Sequence, residues 1–112
     1  MKRIEAIIRP HKQVYVLAAL AQMGITNVTV IQILGLCDPP NHSVIYHPAS
    51  MDPKTGTGLV PKRLFLMFVE DDQVQPVLEL IQSIAATGRP GDGVIAVSQL
   101  DQVVRVQPKK KP

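Results

Sequence analysis

The sequence predicts a single α+β domain of βαββαβ order, with an antiparallel sheet that carries both helices on one face. Three observations lead there. The chain divides into two similar halves, each running from a charged, β-rich segment through a helical stripe to a second β-rich segment. The two halves open alike, with Lys2-Arg3-Ile4 matched by Lys62-Arg63-Leu64, and each is followed by a Gln-Val pair and a helix. A long Pro- and Gly-rich stretch separates them.

Residues 2–9 are Ile-rich and bounded by charge, the pattern of a strand. Pro10 suits the first turn of the helix that follows. Val14, Leu17, Ala18 and Ala21 recur at helical spacing and are the expected buried stripe, with Gly24 as the stop. Residues 27–34 are rich in β-branched side chains and form the second expected strand. Residues 62–69 form a strongly apolar third strand. Asp72 and Gln75 have the spacing of a capping box, and Val74, Val77, Leu78, Ile81 and Ile84 or Ala85 supply the second helical stripe. Pro76 falls in or near that helix's first turn, where its cost is reduced. A short strand is expected at residues 94–97 and a further edge piece at residues 103–106.

Bulk properties narrow the functional classes. In 112 residues, 46% are apolar and 19% charged, which is a folded globule of one domain. The net charge of +3 resides in Lys109, Lys110 and Lys111; without them nine cations face nine acids. Residues 1–108 are therefore the expected domain and 109–112 a solvated basic tail. Trp is absent, and Phe65 and Phe68 fall on opposite faces of one strand, so no base-stacking platform of an RNA-binding sheet is expected. The one cysteine, Cys37, has no partner for an internal disulfide. With no signal-type apolar segment and no run of ~20 apolar residues, the expected setting is cytoplasmic, with no membrane insertion.

A sheet with helices on one face only leaves the other open. The third strand, Leu64-Phe65-Leu66-Met67-Phe68-Val69, has little polar alternation and needs burial on both faces. The open face is therefore expected to be covered by further copies of the chain. Residues 36–60, with five prolines at 39, 40, 48, 53 and 61 in and beside them, are expected to project as a long loop.

Thr87-Gly88-Arg89-Pro90-Gly91-Asp92-Gly93 sets three glycines and an acid between the second helix and the last strand. Glycines permit positive φ and close approach of backbone N–H groups to an anion, so a phosphate cradle is one reading and an ordinary turn is another. Cys37, His42 and His47 could ligate a borderline metal, but their spacing fits no standard zinc pattern, and scattered loop residues are the plainer reading. Arg9 could hold a phosphoryl group, but Arg9-Pro10-His11-Lys12 lacks the glycines of a cradle, so a surface ion-pair residue is expected. Asp71 and Asp72 resemble a catalytic pair but are explained as helix caps. No nucleophile–base set is placed by spacing, and no enzyme is expected.

MKRIEAIIRPHK at residues 1–12, GITNVTVIQILG at 24–35, VPKRLFLMFVEDDQV at 60–74 and TGRPGDGVIAV at 87–97 occur in order across nearly the whole chain. Together they resemble the PII family of signal-transduction proteins. That resemblance implies a trimer of ferredoxin-like subunits, with adenine-nucleotide sites in the clefts between neighbours. It also implies a loop, here residues 36–60, that docks onto a partner transporter, enzyme or regulator. Carried over residue by residue, it assigns Thr87, Gly88, Gly91, Asp92, Gly93 and Arg105 to the phosphate side. It assigns Thr29 and Gly35 to the adenine side, and Lys62 to 2-oxoglutarate.

The chain also departs from the family pattern. Val94 stands where the family has a phosphate-binding Lys or Arg, and Gln107 replaces a second C-terminal arginine. Pro39 occupies the place of the glutamine that bridges magnesium and 2-oxoglutarate. Met51 aligns with the tyrosine uridylylated in enteric members, while Tyr46 and His42 match other loop residues. A hydrogen bond to a charged group is worth ~1.5–3 kcal/mol, so losing two cations weakens triphosphate binding most. The expectation is a regulator that senses ADP, AMP or weakly bound ATP and no longer senses 2-oxoglutarate, with no firm place for magnesium. The alternative is a metal- or anion-responsive adaptor that no longer binds nucleotide.

Overall fold

The computed structural model describes residues 1–37 and 58–107, and the expectations for Pro39, His42, Tyr46, His47, Met51 and the tail at 109–112 lie outside them. Four strands and two helices follow the order anticipated: β1 (Lys2–Ile8), α1 (Gln13–Gln22), β2 (Val28–Cys37), β3 (Gly58–Val69), α2 (Val74–Ala85) and β4 (Gly93–Gln99). One sheet forms in the order β2-β3-β1-β4, and every neighbouring pair is antiparallel. This is the ferredoxin-like arrangement, with β1 and β3 central and β2 and β4 as edges.

Strand alternation defines the faces. Ile4, Ala6 and Ile8 of β1 and Phe65, Met67 and Val69 of β3 are buried in one core with Val16, Leu20 and Ile25 of the α1 region and Val77, Ile81 and Ala85 of α2. Registers Ile4↔Met67 and Ala6↔Phe65 set these side chains opposite one another on the helix side. The other face carries Ile7, Leu64 and Leu66, with Ile31 and Phe68 43% and 42% exposed. Phe65 is fully buried, so the two phenylalanines do occupy opposite faces.

The stripe on α2 is the one anticipated, but that on α1 is not. Val16 and Leu20 are buried, with Leu17 and Met23 partly so, whereas Val14, Ala18 and Ala21 are exposed. The reason is that α1, QVYVLAALAQ, contains no charge and only its two terminal glutamines are strongly polar, so spacing alone leaves its inward face undetermined. Gly24 ends the helix as anticipated. At φ +82° it closes a Schellman turn in which Gly24 N–H donates to Ala21 O at 2.9 Å and Ile25 N–H to Leu20 O at 2.9 Å.

The second helix is entered two residues earlier than the Asp72–Gln75 reading places it. A 3-10 turn at Asp71–Gln73 precedes α2, and the Gln73 side chain accepts the Glu70 N–H at 2.9 Å. Residues 103–106 form no strand: Val103, Val104 and Val106 are all exposed, and the last β4 residue is Gln99. Among the described residues no strand pairs with them.

Gly93 fixes how β4 joins the sheet. It pairs with Ile8, has φ +126°, and a Cβ there would lie 1.8 Å from the Ile7 carbonyl oxygen. Gly24 also has positive φ, but a Cβ would meet nothing within 4 Å. Gly93→Ala is therefore expected to cost about 2–5 kcal/mol from strain and overpacking, and Gly24→Ala about 1–2 kcal/mol from φ alone. Chemical denaturation of both variants checks the order; equal losses would remove steric contact as the cause.

Candidate functional site: the glycine turn and its cationic floor

The turn between α2 and β4 is built around one carboxylate. Asp92 accepts the Thr87 N–H at 2.8 Å and the Gly88 N–H at 3.0 Å through Oδ2. Its Oδ1 accepts the Thr87 hydroxyl and Arg9 Nε, the latter at 3.1 Å. Arg9 also donates through Nη2 to the Pro90 carbonyl at 2.9 Å. The Arg89 N–H donates to Thr87 Oγ1 at 3.3 Å. The loop thus closes on itself and is tied to the end of β1.

Positive φ at Gly88 (+81°), Gly91 (+90°) and Gly93 (+126°) permits this path, while Asp92 between the last two has negative φ. Alternating φ sign is the backbone pattern of an anion cradle. Part of that capacity is already used internally, because the Asp92 carboxylate takes the Thr87 and Gly88 amides.

Lys62 is the second cation of the site. Only 7% exposed, it lies on the sheet face opposite the helices and its ammonium donates to the Gly91 carbonyl. Gly35 lies beside it on β2: a Cβ at Gly35 would approach Lys62 Cγ to 3.2 Å, so the absence of a side chain lets the lysine stem lie flat across the strand. Turn, Lys62 and Gly35 therefore gather at one end of the sheet.

Thr29 does not join them. Thr29 is exposed on the same sheet face as Gly35 but six residues away along β2, roughly 20 Å at strand rise. Arg105 is exposed in the segment after β4. Val94 pairs with Ile7 and is 59% exposed, so an apolar side chain stands directly after the cradle. A cleft of about 320 Å³ beneath the turn, between α2 and β4, is lined by Leu78, Ile81, Ala85 and Ile95 and by no cation. It does not suit a phosphate.

Arg9 is the residue whose role was misread. Its side chain is 17% exposed, so the anticipated ion pair exists but is mostly buried and shapes the turn. Its partner is 83 positions distant, and no local pattern reports that. Among the described residues no group of three or more His, Cys, Asp or Glu could hold a metal. His42, His47 and the Cys37 side chain lie outside them.

Burial alone raises the carboxyl pKa of Asp92, but hydrogen bonds from Thr87, Arg9 and Gly88 outweigh it and hold the group far below the usual carboxylate range. A carboxylate depressed in the folded state stabilises the fold above its unfolded pKa, about 3.9. That contribution is lost as pH falls below this value toward the folded pKa. Asp92→Ala is expected to cost about 1–3 kcal/mol at pH 7. The gap from the parent should narrow in unfolding titrations below pH 4; a gap independent of pH contradicts the role given to the charge.

The family model described as nitrogen regulatory protein P-II matches residues 1–110. The chain is 37% identical over 111 residues to nitrogen regulatory protein P-II of Azospirillum brasilense, covering 99% of this chain and 96% of that one. It is 36% identical over 107 residues to the P-II protein of Pasteurella multocida, covering 96% and 92%. The nitrogen regulatory protein GlnK of Escherichia coli strain K12 is 32% identical over the same length and coverage. With the ferredoxin-like sheet and the glycine turn in the positions that the motifs require, the chain belongs to the P-II family of nitrogen regulatory, signal-transducing proteins.

Proposed function

We propose that this P-II protein is a trimeric regulator that binds an adenine nucleotide at the glycine turn, in clefts between subunits, and controls a partner protein through residues 36–60. The observation that carries the ligand half is the turn itself, prebuilt around Asp92 beside the cationic Lys62. Assembly is supported by the open sheet face, where Ile7, Ile31, Leu64, Leu66 and Phe68 form an apolar surface without a helix cover. Thr29, far from the turn in one chain, would complete the cleft only if a neighbouring copy supplied one side of it, and the exposed Arg105 is free of the turn's hydrogen bonds among the described residues.

The ligand preference follows from charge. Val94 and Gln107 add no cation to Lys62, Arg9, Arg89 and Arg105, and Arg9 is committed to Asp92. A terminal γ-phosphate therefore gains little, and ADP or AMP should bind as well as ATP. Magnesium and 2-oxoglutarate are not required. A second reading, an anion-responsive adaptor without nucleotide, is favoured by the Asp92 carboxylate already occupying two amides of the turn.

Calorimetric titration distinguishes these readings. ADP and AMP are expected to bind with affinities within about threefold of ATP, each weakened by Lys62→Ala. No heat and no thermal shift with any of the three would remove the nucleotide reading. Light scattering is expected to give three times the 12.3 kDa chain mass; a lone chain at working concentration contradicts the shared cleft.

A further inference from the structure

Burial changes sides along β3. From Phe65 to Val69 the buried residues are odd-numbered and face the helices, whereas Gly58, Val60 and Lys62 are even-numbered and lie on the opposite face. The ladder with β2 runs without a break through this region, from Val28↔Met67 to Cys37↔Gly58. The β2–β3 ribbon therefore extends past β1, whose last partner is Arg63, as a two-stranded arm. On the arm's helix-side face lie Leu34, Leu36 and Leu59, 61%, 69% and 38% exposed. Leu36 pairs directly with Leu59, and Leu34 with Pro61.

A wall stands at the base of this arm. Arg63 Nε donates to Gln13 Oε1 of α1 at 2.9 Å, which brings the start of α1 onto the same face of the ribbon. Arg63 is further held by donating through Nη1 to the Lys62 carbonyl at 3.1 Å. His11 and Lys12 sit in the 3-10 turn just before α1, whose first turn exposes Val14 and Tyr15. Between Glu5 and Glu70 no described residue is acidic; Asp38 and Asp52 lie outside the described residues. The remaining described acids, Glu70, Asp71, Asp72, Glu79, Asp92 and Asp101, belong to other elements.

We propose that this ledge, with Leu34, Leu36 and Leu59 as floor and Lys12 and Arg63 as cationic rim, is a docking surface for a partner-protein segment that presents leucine-type side chains flanked by acidic ones. An apolar centre with a charged rim of one sign is the anatomy of a specific interface: the centre supplies affinity, and the rim supplies orientation and selectivity. Arg63 is positioned beforehand by two hydrogen bonds, so little is lost in ordering it on contact. The surface takes Leu36 and Leu59 from the two ends of residues 36–60, adds Leu34, Lys12 and Arg63 from outside them, and is separate from the glycine turn. It rests on the regulator reading only in requiring that a partner exists.

Fluorescence anisotropy with a labelled amphipathic peptide of Leu and Glu tests it, beside Leu/Gln and Leu/Lys versions of the same peptide. The Leu/Glu peptide is expected to bind about tenfold more tightly than Leu/Gln, with affinity falling as salt rises, and the Leu/Lys peptide not at all. Leu34→Asp is expected to weaken binding about tenfold or more, and Lys12→Glu about threefold. Circular dichroism melts confirm folding, and Leu36→Gln serves if Leu34→Asp is unstable. Equal binding of the Leu/Lys peptide, indifference to both leucine variants, or binding only to anionic phosphatidylglycerol vesicles overturns the proposal. ADP titration of the same variants should be unchanged, which separates failure here from failure of the nucleotide reading.

Discussion

The capture of the Asp92 carboxylate by Thr87, Gly88 and Arg9 is the interaction on which the functional end of this molecule depends. A seven-residue segment with three glycines has a large conformational entropy to lose, and apolar burial does little to hold it, since residues 86–90 are exposed. Polar contacts must supply the order. One carboxylate gathers two amides, a hydroxyl and a guanidinium, and Arg9 carries that constraint into the central strand. Lys62 adds a second tether from β3.

These contacts restrict the backbone of the turn, and that restriction limits what the turn can do. Ligand binding then spends little on ordering the loop, which favours affinity from few contacts. A carboxylate inside the cradle also sets a negative charge near an incoming phosphate. Lys62 and Arg9 offset that charge, while the apolar Val94 does not. On the proposed reading such a turn would suit a small or weakly charged nucleotide, and selectivity would arise from which cations are absent.

Much of this was legible in the sequence because the signals were local. The β-branched runs, the α2 stripe from Val74 to Ala85 and the Gly24 stop depend on spacing within one element, and the structure has them where spacing puts them. The failures share a different cause. The inward face of α1 could not be read because apolar residues surround nearly the whole helix. Residues 103–106 look like a strand, but a strand needs a partner, and the described residues provide none. Within the site, the glycine turn and Lys62 were legible from composition and family resemblance. Arg9 was not, because its role arises only when β1 and the turn meet in the folded sheet. The exposed arm likewise depends on β3 outrunning β1, a matter of register.

The most direct measurement of the central claim is amide hydrogen exchange at Thr87 and Gly88 in the ligand-free protein. If Asp92 orders the turn in advance, both amides exchange slowly near neutral pH, and Asp92→Asn speeds them by about tenfold or more while β1 and β3 stay protected. Exchange at the rate of an unstructured peptide in the parent protein would contradict the account, since the cradle would then form only when something binds.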